Sequence, residues 1–130
     1  MIQDTSFVLD VLGGNQAALN RLTDVEARNL PEKISGVTVL ELHEGIQRSS
    51  RPGTERRQVL DVLASKVVID PSLEIMAEAG RISGRLFDAG QPIDREDCVI
   101  AASALAEDEP VLTGNPGHFD RVPDLEVVSY

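Results

Sequence analysis

The sequence predicts an α/β fold in which helices pack against a mostly parallel sheet, and three observations support this prediction. Short apolar runs alternate with longer stretches of helical periodicity along the chain. Turn-forming residues separate these segments, and no internal repeat interrupts them. The length of 130 residues suffices for one hydrophobic core but is short for two. Because strands that alternate with helices favour parallel pairing, we expect a single α/β domain over residues 1–130.

The N-terminal part begins with a short strand and continues with two helices. The strand covers residues 1–3 and stops at Asp4. Residues 5–12 then start helically, and residues 15–29 form the second helix. Apolar side chains of the second helix recur along one side, as expected for a helix packed on a core.

The middle of the chain contains the second strand and two further helices. Residues 33–39 are strand-like in composition and lead into a helix over residues 40–49. The Pro-Gly pair that follows breaks the chain. A helix then resumes over residues 54–65, with Thr54 as its predicted N-cap.

The C-terminal half supplies two long helices and three strands. The strands are predicted at residues 66–70, 110–113 and 125–129. The first helix, residues 72–90, ends at Gly90, where a glycine commonly stops a helix. The second helix, residues 94–107, begins with several acids and then carries no charge until Glu107.

Composition limits the classes of protein. There are 22 acidic and 12 basic residues, giving a formal net charge of −10, which argues against nucleic-acid binding because phosphate neutralisation supplies much of that affinity. The acids either cover the surface for solubility or converge in part on a metal ion. Cys98 stands alone, so the chain forms no internal disulfide. No apolar run reaches the roughly 20 residues that span a bilayer, and no signal peptide is visible, so we expect a cytoplasmic protein without a membrane partner.

Four oxygen-bearing side chains are predicted to meet at one edge of the sheet. Asp4 closes the first strand, and Glu41 follows the second by a few residues. Asp97 lies in the first turn of the helix that precedes the fourth strand, and Asn115 lies just beyond that strand. Ligands of open α/β sheets bind outside the carboxyl ends of the strands, so this edge is the expected functional site.

Helix capping is the alternative explanation for several of these acids. Asp94 and Asp97 have the spacing of an N-cap and an N3 residue, and Thr38 and Glu41 have the spacing of a capping box. Carboxylates in a first turn also interact favourably with the helix dipole. We expect Asp94 to cap its helix, although it is also a candidate ligand beside Asp97.

Taken together, the acids predict a metal site. Carboxylates brought to one place repel, and some would keep their protons unless a cation lay among them. Oxygen ligands without a thiolate or imidazole cluster suit Mg²⁺ or Mn²⁺ better than zinc. Such a site activates water and stabilises charge on a phosphate, which predicts phosphodiester hydrolysis.

Four stretches resemble the PIN-domain nucleases, and among them the VapC-type toxin ribonucleases. They are "DTSFVLD" from Asp4, "TVLELHEG" from Thr38, "DCVIAASAL" from Asp97 and "VLTGNPGHFDRVPDLEV" from Val111. The resemblance implies a three-layer α/β/α sandwich, Mg²⁺-dependent cleavage of RNA (or cleavage with Mn²⁺), and usually a homodimer. It also implies an antitoxin protein that blocks the site.

The family's acidic quartet falls on Asp4, Glu41, Asp97 and Asn115. Within the resemblance, Asp4 and Asp97 are the first metal ligands, and Glu41 ligates directly or through water and orients the attacking hydroxide. Asn115 would hold a ligand water or a substrate oxygen. Many relatives carry Asp at that position, and an Arg is frequent where this chain has Gly114. These departures keep open the alternative of a weakly active or inactive PIN fold that binds RNA or protein.

Other residues are given smaller roles. Thr5 or Ser6 could brace Asp4 by hydrogen bonding. Cys98 is expected to be a core residue. His43 and His118 are candidate general bases, but we expect each to be an exposed or hydrogen-bonded bystander. One basic cluster is a candidate for RNA, antitoxin or dimer contacts. It consists of Arg48, Arg51, Arg56 and Arg57.

Overall fold

A computed structural model describes residues 1–130 and contains one five-stranded parallel sheet. The strands are β1 (Ile2–Gln3), β2 (Lys33–Ser35), β3 (Val67–Ile69), β4 (Val111–Leu112) and β5 (Val127–Val128). Their order across the sheet is β3-β2-β1-β4-β5, and each neighbouring pair is parallel. The chain order therefore reverses at β1, and the carboxyl ends of β1, β2 and β4 share one edge, where the acids were expected.

Seven helices cover the two faces of this sheet. They are α1 (Thr5–Leu12), α2 (Gln16–Ala27), α3 (Gly36–Arg48), α4 (Pro52–Leu63), α5 (Leu73–Asp88), α6 (Arg95–Glu107) and α7 (Pro116–Phe119). Adjacent strand residues point to opposite faces: Val111 packs with α5 and α6, whereas Leu112 packs with α1 and α2. The predicted α/β/α sandwich is confirmed. No helix combines the length and the apolar character needed to cross a membrane.

Helix α6 lies close to the sheet because its side chains are small. Every residue from Cys98 to Ala104 is buried, and the segment contains three alanines and Ser103. The Ser103 hydroxyl donates to the carbonyl of Val99 at 2.8 Å, so a polar group in the core is satisfied within its own helix. This packing holds the first turn of α6, with Asp97, beside the end of β1.

Two predicted boundaries are wrong. The strand predicted at residues 33–39 ends at Ser35, whose side chain accepts a hydrogen bond from the Val37 amide and starts α3 at Gly36. Helix α4 begins at Pro52 and not after a Thr54 cap, because proline at the first helical position needs no amide partner. The short α7, which no sequence pattern predicted, also begins at a proline, Pro116.

Candidate active site

Asp4 is the most buried of the predicted site acids, with 4% of its surface exposed. Its Oδ2 atom accepts hydrogen bonds from the hydroxyls of Ser6 and Thr113, each at 2.7 Å. The register of β1 against β4 pairs Gln3 with Leu112, and it therefore brings the next residues, Asp4 and Thr113, side by side. The brace predicted from Thr5 or Ser6 is provided by Ser6. Asp4 occupies the N-cap position of α1, but its side chain accepts no hydrogen bond from a backbone amide of that helix. Both of its hydrogen bonds go to Oδ2, and Oδ1 therefore has no protein donor.

Glu41 is half-buried in α3 and is held by the first turn of α1. The Thr5 hydroxyl donates to Glu41 Oε1 at 2.7 Å and lies 3.0 Å from the Thr38 hydroxyl. Because α3 begins at Gly36, Thr38 lies inside the helix and is fully buried, so the predicted Thr38–Glu41 capping box is wrong. Thr5 instead links Glu41 to the segment that carries Asp4.

Asp97 lies in the first turn of α6, as predicted, and contacts a histidine that sequence reasoning left without a role. Its Oδ2 atom is 3.0 Å from His118 Nδ1, and an ionised carboxylate only accepts, so Nδ1 donates this hydrogen bond. The side-chain amide nitrogen of Asn115 lies 3.2 Å from the same ring nitrogen. Asn115 and His118 are three residues apart in the turn that Pro116 begins, and this spacing is the signal that could have revealed the histidine.

Asp94 occupies the predicted N-cap position of α6, with extended backbone angles. Its exposed side chain makes no capping hydrogen bond, so the predicted capping contact is wrong. Its charge still acts on the site, because it raises the pKa of the Asp97 carboxyl. Asp94 is therefore an acid at the rim of the site.

The carboxylates of Asp4, Glu41 and Asp97, here called the inner carboxylates, are close enough to affect one another's pKa. Burial raises the pKa of Glu41, and the charges of Asp4 and Asp97 raise it further, while the hydrogen bond from Thr5 lowers it in part. Burial likewise raises the pKa of Asp97, and so does the charge of Asp4, against the lowering effect of the His118 hydrogen bond. The ionised forms are thus disfavoured in the folded protein, and a cation among them would relieve the repulsion.

The carboxylates of Asp4, Glu41 and Asp97 are of the chemical type that binds a hard divalent cation. Their present orientation does not form a coordination site. Each inner carboxylate has one oxygen held by a protein donor, which leaves Oδ1 of Asp4, Oε2 of Glu41 and Oδ1 of Asp97 without one. Carboxylate oxygens are the ligands that Mg²⁺ and Mn²⁺ prefer. No three His, Cys, Asp or Glu side chains are arranged to hold a metal ion as they stand. The carboxylates would therefore have to turn their free oxygens towards one point.

Gly114 is explained by the aromatic ring that fills the space beside it. A Cβ atom at Gly114 would lie 2.5 Å from Tyr130 Oη and 3.2 Å from Asp10 Oδ2. Tyr130 donates to that same Asp10 oxygen at 2.5 Å, and its ring packs edge-on against Phe7 with centroids 5.2 Å apart. Burial and the Asp10 carboxylate raise the pKa of Tyr130. The phenol thus occupies the room that a longer side chain at position 114 would need.

A groove of about 300 Å³ adjoins Glu41. It is lined by Thr5, Leu9, Glu41, Glu44, Gly45 and Arg48. Arg48 is exposed and forms an ion pair with Glu44 at 3.6 Å. Arg48 is the one member of the predicted basic cluster that lines this groove. The other three, Arg51, Arg56 and Arg57, lie outside it at the start of α4 and are exposed.

Comparison with known proteins identifies the family to which the chain belongs. The family model for the PIN domain matches residues 1–125. The chain is 31% identical to ribonuclease VapC19 of Mycobacterium tuberculosis over 124 residues, which are 95% of this chain and 94% of that protein. It is 28% identical to the tRNA(fMet)-specific endonuclease VapC of Salmonella typhimurium over 94 residues, covering 72% of this chain and 71% of the other. The fold is similar to a crystal structure of VapBC2 from Rickettsia felis bound to a promoter DNA fragment, with a TM-score of 0.89, 24% identity, and coverage of 99% of this chain and 97% of that one. The chain therefore belongs to the PIN-domain family and, within it, groups with the VapC proteins.

Proposed function

We propose that the protein is a Mg²⁺-dependent endoribonuclease and the toxin of a toxin–antitoxin pair. The observation that carries this proposal is the set of three mutually repelling carboxylates, Asp4, Glu41 and Asp97, at the carboxyl edge of the sheet. Repulsion of this kind is typical of sites that hold a divalent cation. Two relatives support the substrate class, because one is named a ribonuclease and the other a tRNA(fMet)-specific endonuclease.

Asp4 and Asp97 would hold the cation, with Glu41 as a direct ligand or a ligand through water. Asp94 and Asn115 are the further candidates. Bound Mg²⁺ or Mn²⁺ supplies charge stabilisation at the phosphate and lowers the pKa of a coordinated water. Asn115 contributes an amide oxygen without charge, so this site would carry one negative charge fewer than a site with four acids.

The protein's own groups position these acids and move a proton. Ser6 and Thr113 fix the buried Asp4, and His118 fixes Asp97. Glu41 Oε1 is held by Thr5 while Oε2 is free. Where Glu41 ligates through water and not directly, Oε2 is the oxygen that would accept a proton from that water, and Glu41 is then the proposed general base.

The net charge of −10 disfavours RNA binding, because the chain as a whole repels the RNA phosphates. A cation among the acids reverses the local sign of the site. Arg48, in the groove beside Glu41, is the basic side chain best placed to contact a phosphate. An antitoxin is the proposed protein partner, because the chain groups with the VapC proteins and its fold is similar to that of VapBC2 from Rickettsia felis.

Two observations favour a second candidate function, a PIN fold without activity that binds RNA or protein. The fourth position is the neutral Asn115, and the acids do not form a finished ligand group. Metal dependence separates the two functions. The active enzyme would cut RNA only when a divalent cation is present.

Cleavage of total cellular RNA tests the proposed function. Purified protein is incubated with RNA and Mg²⁺ or Mn²⁺, with EDTA, and as the Asp97→Asn variant, and new 5′ ends are mapped by sequencing. Asp61→Asn, an exposed acid of α4, is the matched control. We expect discrete cuts for the wild type and for Asp61→Asn, and none with EDTA or Asp97→Asn. Intact RNA under all conditions, or cuts that survive Asp97→Asn, would contradict the proposal.

A further inference from the structure

The groove beside Glu41 is formed by one side of α1 and one side of α3. Thr5 and Leu9 of α1 lie one helical turn apart and line the first side. The second side is a ridge of α3 that runs from Glu41 to Arg48, two turns or about 10 Å along the helix. The groove of about 300 Å³ therefore starts at a site acid and leads away from it over a length on the scale of one nucleotide.

Gly45 lies on this ridge and has no explanation in the packing of the chain. It is an internal residue of α3, where glycine destabilises a helix relative to alanine. A Cβ atom at Gly45 would meet nothing within 4 Å, so no close contact requires glycine there. Because Gly45 lines the groove, a methyl group at this position would reduce the room in it. The missing side chain therefore widens the groove directly beside Glu41.

Leu9 supplies the apolar part of the groove. It is the one hydrophobic residue of the lining, and it is 49% exposed although it lies beside charged side chains. Single-stranded RNA is recognised through bases that leave the stack and rest their flat faces on side chains of the protein. An exposed leucine across from an open glycine offers an apolar contact and the space for such a face.

The charged side chains of the ridge indicate how a nucleotide would lie. Glu44 and Arg48 form an exposed ion pair at 3.6 Å, a weak interaction that a ligand can replace. A carboxylate repels phosphate and only accepts hydrogen bonds, so Glu44 suits the N–H groups of a base, whereas Arg48 suits a phosphate. Guanine is the RNA base whose Watson–Crick edge presents two adjacent N–H donors, at N1 and N2. These two donors match the two oxygens of one carboxylate.

We propose that this groove is a subsite for one unstacked guanine nucleotide next to the phosphate that is cut. Gly45 provides the room for the base, and Glu44 accepts hydrogen bonds from its Watson–Crick edge. The proposal rests on the proposed ribonuclease function for the position of the cut phosphate. It adds a base preference to that function and gives a role to two residues outside the inner carboxylates.

Binding of fluorescent RNA octamers tests the subsite without requiring cleavage. The octamers are uridine strands with one central guanosine, or with inosine in its place, which lacks the N2 amino group. Titrations use the Asp97→Asn variant, which removes one charge that repels RNA and, under the proposed function, keeps the RNA intact. We expect the guanosine octamer to bind at least about fivefold more tightly than the inosine octamer. Adding Glu44→Gln should abolish this preference, whereas Glu26→Gln, an exposed acid of α2, should leave it unchanged.

Gly45→Ala separates the role of the groove from that of the helix. The change should raise the melting temperature by about 2–5 °C through helix propensity. It should also weaken binding of the guanosine octamer at least about fivefold, because the methyl group fills the groove. Gly84→Ala in α5 is the matched control, since a Cβ atom there also meets nothing within 4 Å and α5 packs on the opposite face of the sheet from α1. It should raise the melting temperature and leave binding unchanged.

The outcomes distinguish this proposal from the ribonuclease function. Equal binding of the two octamers would overturn the subsite, as expected if the groove instead receives a basic side chain of a protein partner. Binding by Gly45→Ala that is as tight as in the parent would overturn it as well. Cuts in cellular RNA that have no neighbouring guanosine would overturn the subsite and leave the ribonuclease function standing. Guanosine-selective binding by a protein that cuts no RNA would support the base contact and contradict the ribonuclease function alone.

Discussion

The Thr113 hydroxyl is predicted to stabilise the fold because it holds a buried charge. It is fully buried, donates to Asp4 Oδ2 at 2.7 Å and accepts from the Asn115 amide at 2.9 Å. Thr113→Val keeps the shape of the side chain and removes both interactions, together with a 3.3 Å contact between the Thr113 and Ser6 hydroxyls. A hydrogen bond to a charged group contributes about 1.5–3 kcal/mol. The hydrogen bond from the backbone amide of the exposed Asn115 adds less than about 1 kcal/mol, because water can reach it.

Thr113→Val should therefore lower the free energy of unfolding by about 1.5–4 kcal/mol. For a domain of this length the melting temperature should fall by roughly 6–16 °C. Urea denaturation followed by circular dichroism at pH 7, without divalent metal, measures the change. Thr23→Val is the matched control: its hydroxyl donates to the Leu19 carbonyl at the exposed surface of α2, and its removal should change stability by less than about 0.5 kcal/mol.

A double-mutant cycle with Asp4→Asn isolates the contact itself. Once the charge of Asp4 is removed, the loss of the Thr113 hydroxyl should matter less, with a coupling energy of about 1–2 kcal/mol. The reasoning is refuted if Thr113→Val costs no more than Thr23→Val, or if the two changes at the site are simply additive.

Three other predictions follow from contacts already described. The raised pKa of Glu41 means that its ionised form destabilises the folded state, so stability falls as the pH rises from the ordinary Glu pKa to the raised one; Glu41→Gln should be more stable than the wild type at pH 7 in urea denaturation, and the advantage should vanish in acid. Gly114→Arg should destabilise by about 1–3 kcal/mol through collision with Tyr130, and calorimetry should show that Tyr130→Ala relieves part of this loss. Lys66→Met should cost about 3 kcal/mol by leaving the largely buried Glu32 without its ion pair at 2.8 Å, and a pH series should show the cost shrinking in acid as Glu32 takes up a proton.

The layout of the site could be predicted because it depends on strand ends. Asp4 and Asp97 are positioned by the end of β1 and the start of α6, and charged residues mark both boundaries in the sequence. Once the sheet is taken as parallel, the acids must share an edge. The sequence pattern therefore sufficed for the fold and for the meeting of these acids.

The supporting contacts could not be predicted in the same way. Val37, Thr38 and Val39 are β-branched and favour a strand, yet tertiary packing places them in α3, where Thr38 lies against Thr5. The contact of His118 with Asp97 requires knowing that Pro116 starts a helical turn. The filling of the Gly114 space by Tyr130 depends on the pairing of β5 with β4, which sets where the chain after β5 lies.

Calorimetric titration with Mn²⁺ at pH 7 tests the central claim that these acids form a divalent-cation site. Three proteins are compared: the wild type, Asp4→Asn, and the exposed-surface control Asp61→Asn. We predict saturable binding by the wild type and the control, and a loss of binding in Asp4→Asn although that variant remains folded. Absence of binding to the wild type, or equal binding by Asp4→Asn, would contradict the account.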